Sequence, residues 1–477
     1  MMRYLLGAAL ALAPVPTLAQ TDRDVAAPIL AEAGPGTRWG VVVADPEGRE
    51  IVAINPEGRF MPASNTKLYT TAAALWAEAR GEGPKLEQSG ASVRLDGADV
   101  MLTGRGDARL SAAPNCVTDC LAALADAVAA RTRRVRDVIG DATLFPDQRW
   151  SPGMSWNNIP TGYGTGISAL NVDDNEIAAT VTPGAVGSAP TIAMPPYYRV
   201  ENHARTVVGD REALAYDRAP NGRTLVVTGT IGASHAPLTW KLGVDDPADY
   251  AAWQLAELLR ARGVRVTGGV RSRHRPLMPE DDPKLRAGMP PVHAPQPVPL
   301  AMLTPASLGA EIVTINKVSQ NLHAELLLRR LGFASGTGSI ADGQAVVMAM
   351  LAEAGVAPAQ VSLSDGSGMS SYNRVAPRGT VKLLQFAARQ PWGEGFRASL
   401  PIGAVDGTLR RRFAGTPLAG RIFAKTGTLN ATNALAGWLI AASGRTLTFA
   451  IYANDVPEDV RATAIMDRAL VALAAAN

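Results

Sequence analysis

Residues 421–455, "RIFAKTGTLNATNALAGWLIAASGRTLTFAIYAND", read as three β-strands joined by an Asn-rich turn and a Ser-Gly turn. The first strand is the unusual one. Lys425 interrupts the apolar run "IFA", and Gly427 follows it. A glycine inside a strand marks a place where another backbone or a ligand comes close. Near the other end of the chain, residues 37–57, "TRWGVVVADPEGREIVAINPE", form two apolar runs around a Pro-Glu-Gly turn, a hairpin pattern. One sheet assembled from both ends accounts for the two segments together. A final helical pattern covers 457–476, and others cover 64–80, 306–332, 340–355 and 378–391. The fold class is therefore α/β (α+β), with a long insertion between the two parts of the sheet.

The insertion has its own character. From about residue 85 to 285 the chain is richer in β-branched strands, Pro and Gly, with helical patterns at 120–134 and 247–263. Residues 181–232 read as a small all-β unit, and the proline-rich run 291–299 marks the return to the first domain. The expected organisation is a leader at 1–19, a first domain from 20–84 and 286–477, an inserted domain from 85–172 and 244–285, and a second small β-rich domain nested at 173–243.

Length and composition fit a large globular chain: 477 residues, 47% hydrophobic and 19% charged. A formal charge of +3 offers no broad basic surface for nucleic acid. No zinc-like Cys/His spacing and no Gly-Lys-Ser/Thr phosphate loop occurs, so neither a metal nor a diffusible cofactor is expected. Met1-Met2-Arg3 followed by the apolar run 4–15 has the form of a secretory leader, with small residues at Thr17 and Ala19 before Gln20. That run is too short to cross a bilayer, and no later segment is long and apolar enough. The mature protein is expected in the periplasm, without a transmembrane span. The two cysteines, Cys116 and Cys120, then read as a disulfide formed in an oxidising compartment, their spacing of four matching a helical turn.

Chemistry enters at residues 60–69, "FMPASNTKLY". Arginine outnumbers lysine several-fold in this chain, yet Lys67 stands three residues after Ser64. On a helix that spacing puts an amine beside a hydroxyl, the minimum for a serine nucleophile activated without histidine. Ser-x-x-Lys occurs once. Ser-x-Asn occurs at Ser155, Ser319 and Ser371, and only the copy with Ser319 and Asn321 falls inside a helical pattern. Lys425-Thr426-Gly427 is the third element.

These three motifs in this order resemble the penicillin-binding proteins and serine β-lactamases. The long insertion after the first motif, with "SDGSGMSSYNRVAP" (364–377) and "DGTLRRRF" (406–413), is similar to one branch, the low-molecular-mass class C D-alanyl-D-alanine carboxypeptidases and endopeptidases. The resemblance runs from about residue 35 to the C-terminus. It implies a transpeptidase-type domain with a five-stranded antiparallel sheet flanked by helices, cell-wall stem peptides as substrates, and β-lactams as covalent inhibitors. It also implies roles. Ser64 is the nucleophile and Lys67 its base. Asn321 holds that amine, and Ser319 passes a proton to the leaving nitrogen. The N–H groups of Ser64 and Thr428 receive the oxyanion, and Lys425, Thr426, Gly427 and Thr428 bind the terminal carboxylate.

Three other readings compete. A Ser-His-Asp hydrolase lacks support, because the chain has five histidines and no Gly-x-Ser-x-Gly elbow, and His323 reads as a core or surface residue. A β-lactamase or esterase of the same fold would need an added device to hydrolyse the acyl-enzyme. A non-catalytic cell-wall-binding protein would not need Ser64, Lys67, Ser319, Asn321 and Lys425 intact. Oligomeric state has no signature in the sequence.

Overall fold

A five-stranded antiparallel sheet joins the two ends of the chain in the computed structural model, which describes residues 22–84, 90–287, 289, 291, 293 and 297–477. The leader expected at 1–19 lies outside the described residues. The strand order is Ile422–Leu429, Thr432–Ile440, Thr446–Asn454, Arg38–Ala44, Glu50–Ile54. Alternation decides what each face carries. In Thr446–Asn454, Leu447, Phe449, Ile451 and Ala453 face the helices Asp22–Ala31 and Ala462–Ala476. Ala450 and Tyr452 face the opposite layer, built from the helices Thr66–Ala79, Leu308–Lys317, Asn321–Ser335, Ile340–Glu353 and Pro377–Ala388.

The helix bearing Lys67 is fixed on the sheet by packing and by buried polar contacts. Gly40 leaves room for the Phe60 ring, which a Cβ there would meet at 2.2 Å, and Phe60 stacks on Tyr452. A chain of hydroxyls, Tyr69 to Thr380 at 2.7 Å and Thr380 to Tyr452 at 2.8 Å, joins that helix to Pro377–Ala388 and the sheet. Each buried hydroxyl thus keeps a partner, which such burial requires.

The insertion holds a second five-stranded sheet, in the order Val270–Arg275, Val138–Pro146, Asp99–Thr103, Ser92–Asp96, Ala301–Met302. Helices Leu121–Arg131 and Pro247–Ala261 pack with it in one core. Two smaller sheets fall between Glu176 and Gly243. Tyr197, edge-on to Tyr198, meets Tyr250 edge-on and Trp253 at a tilt on the long helix.

The structure departs from the expected organisation in three places. Ala301–Met302 still pairs with Ser92–Val93 of the inserted sheet, so the chain leaves that sheet after 302 and not at 286; the pairing closes an otherwise open strand edge. The helical pattern over 306–332 splits into Leu308–Lys317 and Asn321–Ser335, because Ser319 has φ +66°, which an α-helix cannot contain. Cys116 and Cys120 are bonded, with Cα atoms 5.7 Å apart, in the loop ahead of Leu121–Arg131 and not on a helical turn.

The insertion core also takes in Leu322 and Leu326 of the catalytic-layer helix Asn321–Ser335. Polar groups are trapped at this junction. Asp107, 4% exposed, has one carboxylate oxygen held by the Arg109 N–H and the other without a partner. Burial, with the charge of Asp119, pushes its carboxyl up to about 6. A carboxyl raised above its unfolded value disfavours folding as pH rises from about 3.8 to about 6, and the cost is complete above that. Asp107→Asn keeps the acceptor for Arg109 and removes the charge. It is expected to stabilise the protein by about 3 kcal/mol at pH 7, with the gain nearly gone by pH 4, from the 1.36 kcal/mol that one pKa unit represents. Denaturant midpoints at the two pH values measure this.

Candidate active site

Ser64 lies in a 3-10 turn, Ala63–Asn65, that leads into the helix Thr66–Ala79. Ala63 has φ +46°, a strained value for a residue with a Cβ. Two contacts hold the turn there. Asn65 Nδ2 donates to the Lys425 carbonyl at 2.8 Å, and Gly427 passes so close that a Cβ on it would lie 2.5 Å from the Pro62 carbonyl and 3.1 Å from Ser64 N. This is the close approach anticipated from a glycine within that strand.

From this turn Lys67 reaches Ser64 Oγ at 2.9 Å, as the i, i+3 spacing requires. The amine is fully buried and has two further neighbours, Asn321 Oδ1 at 2.6 Å and the Ser367 carbonyl at 2.7 Å. The Asn321 amide cannot be reversed, because its Nδ2 donates to the Tyr163 carbonyl at 2.9 Å. Both neighbours are thus acceptors. A neutral amine has two N–H groups, which those acceptors use, and one lone pair, which is left for the Ser64 hydroxyl. Burial brings the Lys67 amine down to about 7, against the opposing pull of the Asp365 and Glu325 charges.

Ser319 occupies the break between the two helices. Asn316, just before it, donates to Ser399 Oγ at 2.8 Å, and Lys317 pairs with Asp406 at 2.6 Å. Gln320 then caps the next helix by accepting the Leu322 N–H at 3.0 Å. Held in this way, Ser319 Oγ receives the Lys425 amine at 2.9 Å. Lys425 is also fully buried, and its amine lies well below the usual lysine range, through burial first and the Lys67 charge second. Its other bond is to the Thr426 carbonyl at 2.9 Å. The Thr426 hydroxyl meets Thr408 of the 406–413 segment at 2.7 Å, and Thr428 is exposed at the end of the strand.

The structure therefore brings Ser64, Lys67, Ser319, Asn321, Lys425 and Gly427 to one edge of the sheet, two buried amines each touching a serine hydroxyl. Ser155 and Ser371, the other Ser-x-Asn serines, bond to Asn157 and to the Gly153 carbonyl instead. His323 is buried against Asp174 at 2.9 Å. In the group Ser272, His274 and Asp246, hydroxyl and imidazole both sit on the carboxylate and not on each other, so no imidazole activates that serine. Among the described residues no His/Cys/Asp/Glu cluster has the arrangement of a metal site.

Several site residues escape a reading by motif. Tyr163 and Ser367 act through backbone carbonyls, which carry no side-chain identity. Asn65 stands at an unspecified position inside Ser64-x-x-Lys67, and Thr408 lies in the 406–413 segment, where the resemblance gives it no role. Glu325 had a signal: it follows Asn321 by four residues on a helical pattern, so the two share a face.

The chain is similar to known proteins along most of its length. The family described as "D-Ala-D-Ala carboxypeptidase 3 (S13) family" matches residues 22–476. A D-alanyl-D-alanine carboxypeptidase of Actinomadura sp. (strain R39) is 34% identical over 94% of this chain and 84% of its own length. The D-alanyl-D-alanine carboxypeptidase DacB of Haemophilus influenzae is 25% identical over 67% of this chain and 64% of its own. Among solved structures, penicillin binding protein 4 (dacB) of Haemophilus influenzae superposes with a TM-score of 0.77 at 22% identity, covering 92% of this chain and 97% of that one. The same protein complexed with a β-lactam gives 0.70 over the same shares at 21% identity.

Proposed function

The chain belongs to the D-Ala-D-Ala carboxypeptidase 3 (S13) family, and from that premise we propose how its residues carry out serine-type D-Ala-D-Ala carboxypeptidase action on cell-wall peptides. The observation that carries the mechanism is the Lys67 amine, whose two acceptors, Asn321 Oδ1 and the Ser367 carbonyl, leave its lone pair for Ser64.

Neutral Lys67 takes the Ser64 proton as Oγ attacks the carbonyl carbon of the penultimate D-Ala. The N–H groups of Ser64 and Thr428 receive the oxyanion. As the tetrahedral intermediate collapses, the C–N bond breaks and Ser319 passes a proton to the leaving nitrogen, releasing terminal D-Ala and leaving an ester on Ser64. Lys425, beside Ser319, replaces that proton, and a proton moves back from the Lys67 side as the site resets. Water then attacks the ester with Lys67 again as base, which restores Ser64. A β-lactam carbonyl enters the same first step and leaves Ser64 acylated. The cross-link between D-Ala and a diamino acid also has a D-centre bearing a carboxylate next to the scissile amide, so endopeptidase cleavage of cross-links is part of the reading.

The place of action follows the substrate: the periplasm, reached by export on the leader at residues 1–19, which is then removed. The Cys116–Cys120 bond suits an oxidising compartment, and no helix among the described residues is long and apolar enough to cross a membrane.

Lys425, with the hydroxyls of Thr426 and Thr428, meets the substrate carboxylate. Lys425→Ala is expected to lower kcat/KM for a D-Ala-D-Ala peptide roughly 100- to 1,000-fold, the cost of removing one partner of a partly desolvated charge pair. An amide-capped analogue never makes that contact and should lose less. Assay of both peptides with both proteins, by mass analysis of released D-Ala or its amide, isolates the carboxylate contribution. Equal losses would leave Lys425 as an electrostatic neighbour of Lys67 only. Cross-linked muropeptides in the same assay report endopeptidase action.

A further inference from the structure

The mechanism above does not use the buried acidic pair Glu325 and Asp365 near Lys67. Glu325 lies one turn beyond Asn321 on the helix Asn321–Ser335. Its Oε1 accepts two backbone N–H groups, Gly366 at 3.0 Å and Ser367 at 2.9 Å. The carbonyl of that same Ser367 is the acceptor for Lys67 at 2.7 Å. The loop is closed on itself by Asp365, which is wholly buried and accepts from Gly368 N and Asn373 Nδ2, and from Ser370 N. It has no space to shift: a Cβ on Gly368 would meet the Ala63 carbonyl at 1.9 Å, and one on Gly366 the Ala324 carbonyl at 2.8 Å.

We propose that Glu325 is a positioning residue for acylation: it pins the 365–370 loop so that the Ser367 carbonyl meets Lys67, and together with Asp365 it supplies the negative charge facing that amine. This rests on Lys67 being the base. Without a facing charge, an amine buried this completely would give up its proton so readily that it would be a weak base for a serine hydroxyl. The Asp365 and Glu325 charges oppose burial in that balance. Asn321 and Glu325 on one helix face therefore act on the amine in two ways, one by direct contact and one through the loop.

The groups around the pair are few. Lys67 is faced by Ser64 on its own helix, Asn321 and Glu325 on the next, Asp365 on the loop, Lys425 on the strand and the Tyr163 segment of the insertion. Glu325 is faced by Arg329, whose Nη1 is 3.5 Å from Oε2, by Asp365, and across a small cavity by Arg149. Burial and Asp365 hold the Glu325 carboxyl above the usual carboxylate range, and Arg329 and the Ser367 N–H pull it only part of the way back. Oε2 has no hydrogen-bond partner, and the cation that favours its ionised form is the Arg329 guanidinium, 3.5 Å away.

The test is the pH profile of acylation by penicillin, followed by intact mass, in wild type, Glu325→Gln and Glu325→Asp, with thermal melts to show that each folds. Glu325→Gln keeps an acceptor for the two N–H groups and loses the charge. Its profile should move about one pH unit to the acid side with a plateau several-fold lower, so that the curves of variant and wild type cross. Glu325→Asp keeps the charge and withdraws it from the loop, so its midpoint should stay while the plateau falls about tenfold. If Glu325→Gln does not fold, Glu325→Gln/Arg329→Met removes both buried charges together and should show the same acid shift. A midpoint unmoved in the folded charge-neutral variant overturns the proposal and leaves Glu325 with a purely structural role. A wild-type rate without any rise through pH 7 would instead overturn Lys67 as base, a different failure.

Discussion

Ser64→Ala is expected to end covalent labelling by penicillin and to lower D-Ala release by roughly 10⁴- to 10⁶-fold, the loss typical of removing a nucleophile whose partners act as a unit. The reason is local. Lys67 is the amine with a lone pair available to a hydroxyl, and Ser64 Oγ is the hydroxyl it reaches, at 2.9 Å. Ser319 Oγ belongs to Lys425, which sits at the leaving-group side in the proposed mechanism. The substitution removes one oxygen from a half-buried position and leaves the turn intact, since that turn is held by Asn65 and by the approach of Gly427. The variant should therefore melt close to wild type. Intact mass after incubation with penicillin reads the outcome directly, and labelling at the wild-type rate would place the nucleophile elsewhere.

Lys67→Arg comes next in size, with an expected loss of roughly 10³- to 10⁴-fold in acylation, because a guanidinium does not give up its proton in the working pH range and so cannot act as base. The variant keeps a cation and its hydrogen bonds, so a role limited to positive charge would survive it. Wild type should show the complementary behaviour. With the amine near 7, the neutral fraction falls tenfold for each unit below that pH and saturates above it, so acylation should rise with slope one and then level. Lys67→Arg should have no such limb. Retention of most activity would remove Lys67 from proton transfer.

The reach of the sequence can be judged from particular residues. Ser64 and Lys67 were readable as a pair because one helical turn makes neighbours of residues three apart. The strands around 421–455 and 37–57 were readable because short apolar runs are bounded there by turn residues. Gly427 within a strand announced a close approach, which the Pro62–Ser64 turn makes. The helical pattern over 306–332 was misleading at its centre. Its apolar spacing runs on through Ser319, while the break is imposed by partners far away in sequence: Ser399 on Asn316 and Asp406 on Lys317. Composition puts the return of the chain to the first domain at 286, with the proline-rich run 291–299 as its mark, yet a two-residue strand pairing at 301–302 lies later, and such short pairings leave no pattern.

What the sequence determined by itself is whatever interaction between near neighbours fixes: the Ser64–Lys67 turn, the strands and their turns, and the residue types able to do this chemistry. Tertiary structure alone decided which acceptors surround the amine. Asn321 comes from 254 residues away, and its amide orientation depends on a carbonyl of the insertion; the second acceptor is the Ser367 carbonyl, on the loop whose Gly366 and Ser367 N–H groups Glu325 accepts. Backbone carbonyls are common to every residue, so no motif marks the ones that matter. The proton affinity of a lysine likewise depends on burial and on charges that only folding brings around it.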